Sequence, residues 1–274
     1  MKEVALALGG GGARGIAHIQ VLEAFDDLKI RPVVIAGSSI GAIMGAGYAA
    51  GMSAREIREY VIGTFTNNAQ VMSRLWRLRP DTLRDMFTRV PRIGELNAQK
   101  VLRAFLPHTI PETFEELQIP LKVTTTDYYG CTLTVLEKGE LWPALAASAA
   151  IPAIFRPEMI DGRVHVDGGI SNPVAFDLLE KEGRIVVAVD VVAAPRGEAT
   201  KIPSRIEAAF GASQLMMQAL TTFKLKLHQP DLMIRPAVDE FRVLDFLHAR
   251  DILEATEDTR IEVRTKLERI LNAD

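Results

Sequence analysis

Three short stretches of this sequence carry residues whose types and spacing suit chemistry. The first is Gly37-Ser38-Ser39-Ile40-Gly41. A serine flanked by glycines can sit on a turn too sharp for side chains, with its hydroxyl presented as a nucleophile. The plainer alternative is an ordinary serine-rich turn. Context favours the nucleophile, because Val33-Val34-Ile35-Ala36 reads as a buried strand and residues 42–50 are small and apolar, as a following helix requires. Ser39 then stands at the tip of the turn, over the positive end of that helix.

The second stretch, Gly9-Gly10-Gly11-Gly12-Ala13-Arg14-Gly15, follows the apolar run Val4 to Leu8. Its glycine spacing matches the dinucleotide fingerprint G-x-G-x-x-G, which would make the chain a nicotinamide-dependent oxidoreductase. That reading needs an acidic residue at the end of the second strand, about 20 residues on, to hold the ribose hydroxyls. Here the strand ends in Ala36-Gly37-Ser38-Ser39, and the nearest acids, Asp26 and Asp27, fall on the preceding helix. The other use of such a loop is to converge backbone N–H groups on a negative oxygen. An acyl-transfer serine needs that service for its tetrahedral intermediate, so one loop would supply the nucleophile and the other the oxyanion hole. A glycine loop made only for packing would carry a heavy entropy cost.

The third stretch is Asp167-Gly168-Gly169. A serine needs a proton acceptor, and His18, His108, His165, His228 and His248 are the histidine candidates. His18 falls within a helix, His165 alternates with valines on a strand, and His248 lies on an amphipathic helix. A Ser–acid–His triad would have to enlist Asp167 or Asp190 with His228 or His248, neither of which follows a recognisable strand. Asp167 ends a hairpin strand and is followed by two glycines, which gives its carboxylate an open path into a cleft. An aspartate is a weak base in water, with a pKa of about 3.9, but loss of water in a dry pocket raises it. A Ser–Asp dyad is therefore physically sound, and the alternative is an Asp-Gly turn residue.

These residues require elements that can position them. Residues 16–28 have apolar positions at helical spacing, so two successive strand–glycine loop–helix units open the chain and imply a mainly parallel sheet with helices on its faces. Residues 53–105 read as mostly helical, with a cap-like excursion around 63–106. Within it, residues 72–92 mix six arginines with large apolar residues, a pattern that suits a mobile cap or a surface touching anionic lipid, the plainer alternative being a solvated helical excursion packed on the domain. Strands are expected at 120–127, 132–136, 163–166 and 185–191, and helices at 141–150, 174–182, 202–228 and 246–271. With 274 residues, 48% hydrophobic content, a net charge of −3 and no linker, a single domain is the economical reading, without a nucleic-acid partner. Cys131 is the only cysteine, which excludes an internal disulfide and a cysteine-based metal site. The apolar start is too short for a signal segment and nothing reaches membrane-spanning length, so the chain reads as cytoplasmic, with peripheral contact at a membrane left open.

Together the motifs resemble the patatin-like phospholipases, and specifically their small bacterial members. The glycine-rich motif with its basic Arg14, the G-x-S-x-G turn at Gly37 to Gly41, and the D-G-G step agree in order and spacing. A further block of the family is matched by Ala147-Ser148-Ala149-Ala150-Ile151-Pro152-Ala153-Ile154-Phe155. The likeness covers most of residues 4–192 and, less specifically, 244–255. Plant members begin the glycine motif with Asp where this chain has Gly9. The resemblance implies a three-layer α/β/α fold and cofactor-free, metal-free hydrolysis of lipid or fatty-acyl esters. It also implies that Ser39 is the nucleophile and Asp167 the base, with the N–H groups of Gly10, Gly11, Gly12 and Ile40 as the oxyanion hole. Arg14, Gly37, Gly41, Gly168 and Gly169 support that motif. A non-catalytic lipid-binding or regulatory protein on the same fold is the alternative.

Overall fold

Runs of small and β-branched residues that are apolar on both sides form parallel strands shielded from water on both faces. The computed structural model describes residues 2–66, 68–77, 96–179, 183–195 and 200–273. It opens with β1 (Glu3–Leu8), a 3-10 turn (Gly12–Ala17) and α1 (His18–Asp27). The second unit is β2 (Val34–Ser38) followed by α2 (Ile40–Ala49). Then come α3 (Ala54–Phe65), α4 (Asn68–Arg77) and α5 (Ala98–Phe105). Ser53 and Glu56 begin α3 with reciprocal caps, the Ser53 hydroxyl accepting from the Glu56 N–H and the Glu56 carboxylate from the Ser53 N–H. Most of the arginine-bearing stretch, residues 78–92, lies outside the described residues.

A hairpin of β3 (Leu121–Asp127) and β4 (Thr132–Leu136) leads into α6 (Leu141–Ser148), and a second hairpin pairs β5 (Glu158–Ile160) with β6 (Arg163–Asp167). The chain continues through β7 (Arg184–Val189), α7 (Arg205–Leu227), β8 (Leu232–Ile234), α8 (Ala249–Ala255) and α9 (Asp258–Asn272). Strands β3, β2, β1, β7 and β8 run parallel in that spatial order, while β4, β5 and β6 are antiparallel additions.

Alternation along β1 divides the interior in two. Val4, Leu6 and Leu8 enter the larger core with α1, α2, α8 and α9, whereas Ala5 and Ala7 enter a smaller one closed by Val174, Phe176, Leu179 and Leu225 of α7. The result is a layered α/β fold, as the motifs imply.

Two helices expected from the sequence differ. Residues 174–179 form only a single 3-10 turn (Phe176–Leu178), and 180–182 lie outside the described residues. Tertiary partners take the carbonyls that a helix would use: the Gly10 N–H donates to the Pro173 carbonyl at 2.9 Å, and Lys224 of α7 donates to the Val174 carbonyl at 2.9 Å and to Asp177 at 2.5 Å. Residues 246–271 are split into a 3-10 turn (Phe246–His248), α8 and α9. Near the break, the Thr256 hydroxyl donates back to the Ile252 carbonyl at 2.7 Å, a side-chain bond that competes with helix continuation.

Candidate active site

The parallel sheet delivers Ser39 through β2. A Cβ at Gly41 would lie 2.1 Å from the Leu8 carbonyl oxygen, and one at Gly37 would lie 2.4 Å from the Ala42 Cα. Only glycine lets the turn close that tightly, which bends the chain so that Ser39 adopts φ 52° and ψ −123°. A positive φ at a residue with a side chain stores about 1–3 kcal/mol of strain. Gly41→Ala is therefore expected to destabilise the fold by at least about 2 kcal/mol. That is a drop of roughly 4–8 °C in Tm for a chain of this size, readable by thermal melting.

Asp167 reaches Ser39 through the register of β3. Val123 and Thr124 pair with β2 and also with β4, so those two strands occupy opposite edges of β3. Thr125 to Asp127 pair with β6 and again with β4, which puts β6 on the same edge as β2. Ser38 stands opposite Thr124 and Asp167 opposite Thr125, so β2 and β6 end head to head. Gly168 allows the junction, since a Cβ there would lie 2.1 Å from the Thr124 carbonyl oxygen.

At that junction the Ser39 hydroxyl donates to Asp167 Oδ2 at 2.6 Å, and the Gly169 N–H donates to Oδ1 at 2.7 Å. Both side chains are buried. Burial pushes the Asp167 carboxyl up to about 6, with the hydrogen bonds from Ser39 and Gly169 pulling the other way. A carboxylate so placed can remove a proton near neutral pH, when an ordinary aspartate is a feeble base. The Ser39 N–H donates to the Ser148 hydroxyl oxygen of α6 at 2.8 Å. Ser148 stood in the sequence only as part of a matching block, and no local signal indicated this contact.

The glycine loop runs beside the serine, with Gly10 so close that a Cβ on it would lie 3.3 Å from the Ser39 Cβ. The amides of the loop are unequal. Gly9 donates to the Val189 carbonyl at 2.9 Å, Gly10 to Pro173 at 2.9 Å and Ala13 to Val243 at 2.8 Å. Among the described residues, no acceptor meets the N–H groups of Gly11, Gly12 and Ile40. The four amides read from the motif thus separate into one that is engaged and three that are open. Arg14 bonds elsewhere than the serine: buried, it donates to the Phe241 carbonyl at 2.7 Å and ties the loop to the C-terminal segment.

None of the five histidines bonds to Ser39. His18 donates from Nε2 to the Gly9 carbonyl at 2.8 Å, and complete burial drives its pKa down to about 4, so it braces the loop as a neutral ring. His165 bonds the Thr125 hydroxyl at 2.9 Å, and His248 pairs with Asp251 at 2.7 Å on the surface. Asp190, the other carboxylate considered, accepts from the Val192 N–H at 3.0 Å and from Arg235 at 3.3 Å.

Ser39 also forms part of the wall of a cavity of about 390 Å³. Met44, Ile57, Val61, Phe65, Leu102 and Phe105 line it from α2, α3 and α5, so the space beyond the hydroxyl is apolar.

A helix-flanked mixed sheet with a serine on a strained strand-to-helix turn, facing a carboxylate, defines the class: an α/β protein built around a nucleophile-type elbow. The chain belongs to the patatin-like phospholipase family, whose model matches residues 6–179, a span that includes both Ser39 and Asp167. It is 36% identical over 171 residues to an uncharacterized NTE family protein of Mycobacterium tuberculosis, covering 62% of this chain and 44% of that one. It is 32% identical over 192 residues to human patatin-like phospholipase domain-containing protein 6, covering 69% of this chain and 13% of that protein. The chain thus spans less than half the length of these relatives. Among solved structures, VipD from Legionella pneumophila shares the fold with a TM-score of 0.53 at 16% identity, over 97% of this chain and 67% of that one. No described helix is long and apolar enough to cross a membrane.

Proposed function

We propose that this chain is a serine hydrolase of lipid acyl esters, of phospholipase A, lysophospholipase or esterase type, working through a Ser39–Asp167 dyad. The observation that carries the reading is the 2.6 Å hydrogen bond from the Ser39 hydroxyl to a buried carboxylate, made at the wall of an apolar cavity. An acyl chain fits that cavity, with its ester carbonyl beside the hydroxyl. Asp167 accepts the Ser39 proton as the oxygen attacks the carbonyl carbon, and the open amides of Gly11, Gly12 and Ile40 receive the negative oxygen. The tetrahedral intermediate collapses when the leaving alcohol takes the proton from Asp167. Water then attacks the acyl-serine, gives its proton to Asp167, and releases the fatty acid as the proton returns to Ser39. The partner is lipid, reached by peripheral contact with anionic membrane from the cytoplasm, and no nucleic acid or cofactor enters the cycle.

A series of p-nitrophenyl fatty-acyl esters tests the reading, with long chains expected to be turned over and polar or bulky acyl groups refused. Val61→Phe narrows the cavity and is expected to lower the ratio of kcat/KM for long against short acyl chains by about tenfold. An unchanged ratio would place the acyl chain elsewhere. Ser148→Ala removes the acceptor of the Ser39 N–H and is expected to reduce kcat about 10- to 100-fold with KM nearly constant.

A further inference from the structure

Successive glycines have no side chains to fix the direction of their amides, so the glycine loop takes its shape from what it is tied to. Its ties enclose the open N–H groups of Gly11 and Gly12. Before them, the Gly9 and Gly10 N–H groups donate to Val189 and Pro173; after them, the Ala13 N–H donates to the Val243 carbonyl at 2.8 Å. Gly12 stands at φ 61°, so near Val243 that a Cβ on it would lie 2.2 Å from that carbonyl oxygen. Arg14 adds its bond to the Phe241 carbonyl, and Asp239 and Asp245 partly offset the burial of its charge. The tie after the open amides thus comes from residues 239–245, beyond the span 6–179 that the family model matches.

The same segment closes the acyl cavity. Leu244, Phe246 and Leu247 line it together with Gly12, Ser39 and Ile40. The Phe246 ring stacks on Phe65 of α3 at 5.4 Å between centroids, and Phe65 stacks on Phe105 of α5 at 5.9 Å. Phe246 follows Val243 by three positions. The stretch between them is folded on itself: the Arg242 N–H donates to the Asp245 carboxylate at 2.7 Å, and the Asp245 N–H donates to the Arg242 carbonyl at 3.2 Å. Movement of the ring is therefore passed to the Val243 carbonyl rather than absorbed on the way.

We propose that residues 241–247 belong to the active site, and that Phe246 makes the placement of the Gly12 amide depend on what fills the acyl cavity. The inference rests on the hydrolase reading above. An acyl chain lying between α3, α5 and Phe246 fixes the ring, the ring fixes the Val243 carbonyl, and that carbonyl holds the loop whose amides meet the negative oxygen. Contact far from the ester is then expressed in kcat and not only in KM. Phe246 is a positioning residue in this scheme, and Arg14 is the tether it works against.

In the wild type, kcat for p-nitrophenyl esters is expected to rise about tenfold from acetyl to decanoyl. Phe246→Ala is expected to remove that rise, bringing kcat for the decanoyl ester down to the acetyl value, with Phe246→Leu recovering most of it. Arg14→Met is expected to lower kcat about 100-fold at both chain lengths with KM nearly constant, and Arg14→Lys to restore part of it. A higher KM at unchanged kcat in Phe246→Ala would make the ring a plain wall and overturn the proposal, as would a wild-type kcat in Arg14→Met. Amide hydrogen exchange gives a readout independent of catalysis, with 1-decanol as the probe, since it fills the cavity and brings no charge to the loop. Exchange across residues 9–17 is expected to slow about tenfold with the alcohol in the wild type and to stay unchanged in Phe246→Ala. Slowing in a chain without esterase activity would refute hydrolysis and support the coupling. Activity without slowing would refute the coupling alone, and absence of both would refute both.

Discussion

Asp167→Asn is expected to lower ester hydrolysis about 10³-fold or more and, at neutral pH, to make the protein harder to unfold. The loss follows from removing the group proposed to accept the Ser39 proton. The gain in stability follows from the pKa. In the fold the Asp167 carboxyl titrates at about 6 because burial opposes its charge, whereas in the unfolded chain it titrates at about 3.9. The native state therefore holds the proton more tightly, and stability falls as pH rises between roughly 4 and 6. Above pH 6 the charged carboxylate burdens the fold by about 3 kcal/mol, a strain that the neutral Asn lacks while keeping an oxygen for the Gly169 N–H. Thermal melts are expected to put the variant above the wild type by about 6–12 °C at pH 8, with the gap closing by pH 4. A gap independent of pH would contradict the buried charge. In the wild type, kcat/KM is expected to climb with pH to a plateau, with its midpoint near 6.

Ser39→Ala is expected to bring hydrolysis to background, a loss of about 10⁴-fold or more, with the sheet and helices intact. Two further consequences separate this from general damage. Asp167 loses one of its two hydrogen-bond donors, so its pKa is expected to move further up. The strained backbone at φ 52° remains in the Ala variant, but Ser39→Gly relieves it, because glycine enters positive φ without penalty. The Gly variant is expected to be more stable than the Ala variant by about 1 kcal/mol, measured by urea unfolding. Equal stabilities would mean that the turn relaxes when the serine is lost.

What could be read from the sequence was local. Ser39 between Gly37 and Gly41, and Asp167 before Gly168 and Gly169, are marked by side chains absent where the chain must turn or pack closely. The strands around them are marked by composition. The features that escaped are set by distant partners. That β2 and β6 end head to head depends on register along β3, which no single stretch encodes. The Gly10 amide looks like its neighbours in sequence, yet the Pro173 carbonyl occupies it. Ser148 is one small residue in a small-residue helix, and only the packing of α6 brings its hydroxyl to the Ser39 N–H. Residues 174–179 have helical composition, but Lys224, fifty positions on, takes the Val174 carbonyl and only a single 3-10 turn forms. The cavity likewise joins walls from α2, α3 and α5 to Leu244 and Phe246, far along the chain.

The most direct test is labelling of the intact protein with a fluorophosphonate, followed by mass spectrometry of the modified peptide. Only a serine whose proton has somewhere to go reacts at a useful rate. The dyad requires one adduct, on Ser39, forming faster as pH rises through about 6 and lost in Asp167→Asn. An unlabelled protein, an adduct on another serine, or undiminished labelling of the Asn variant would contradict it.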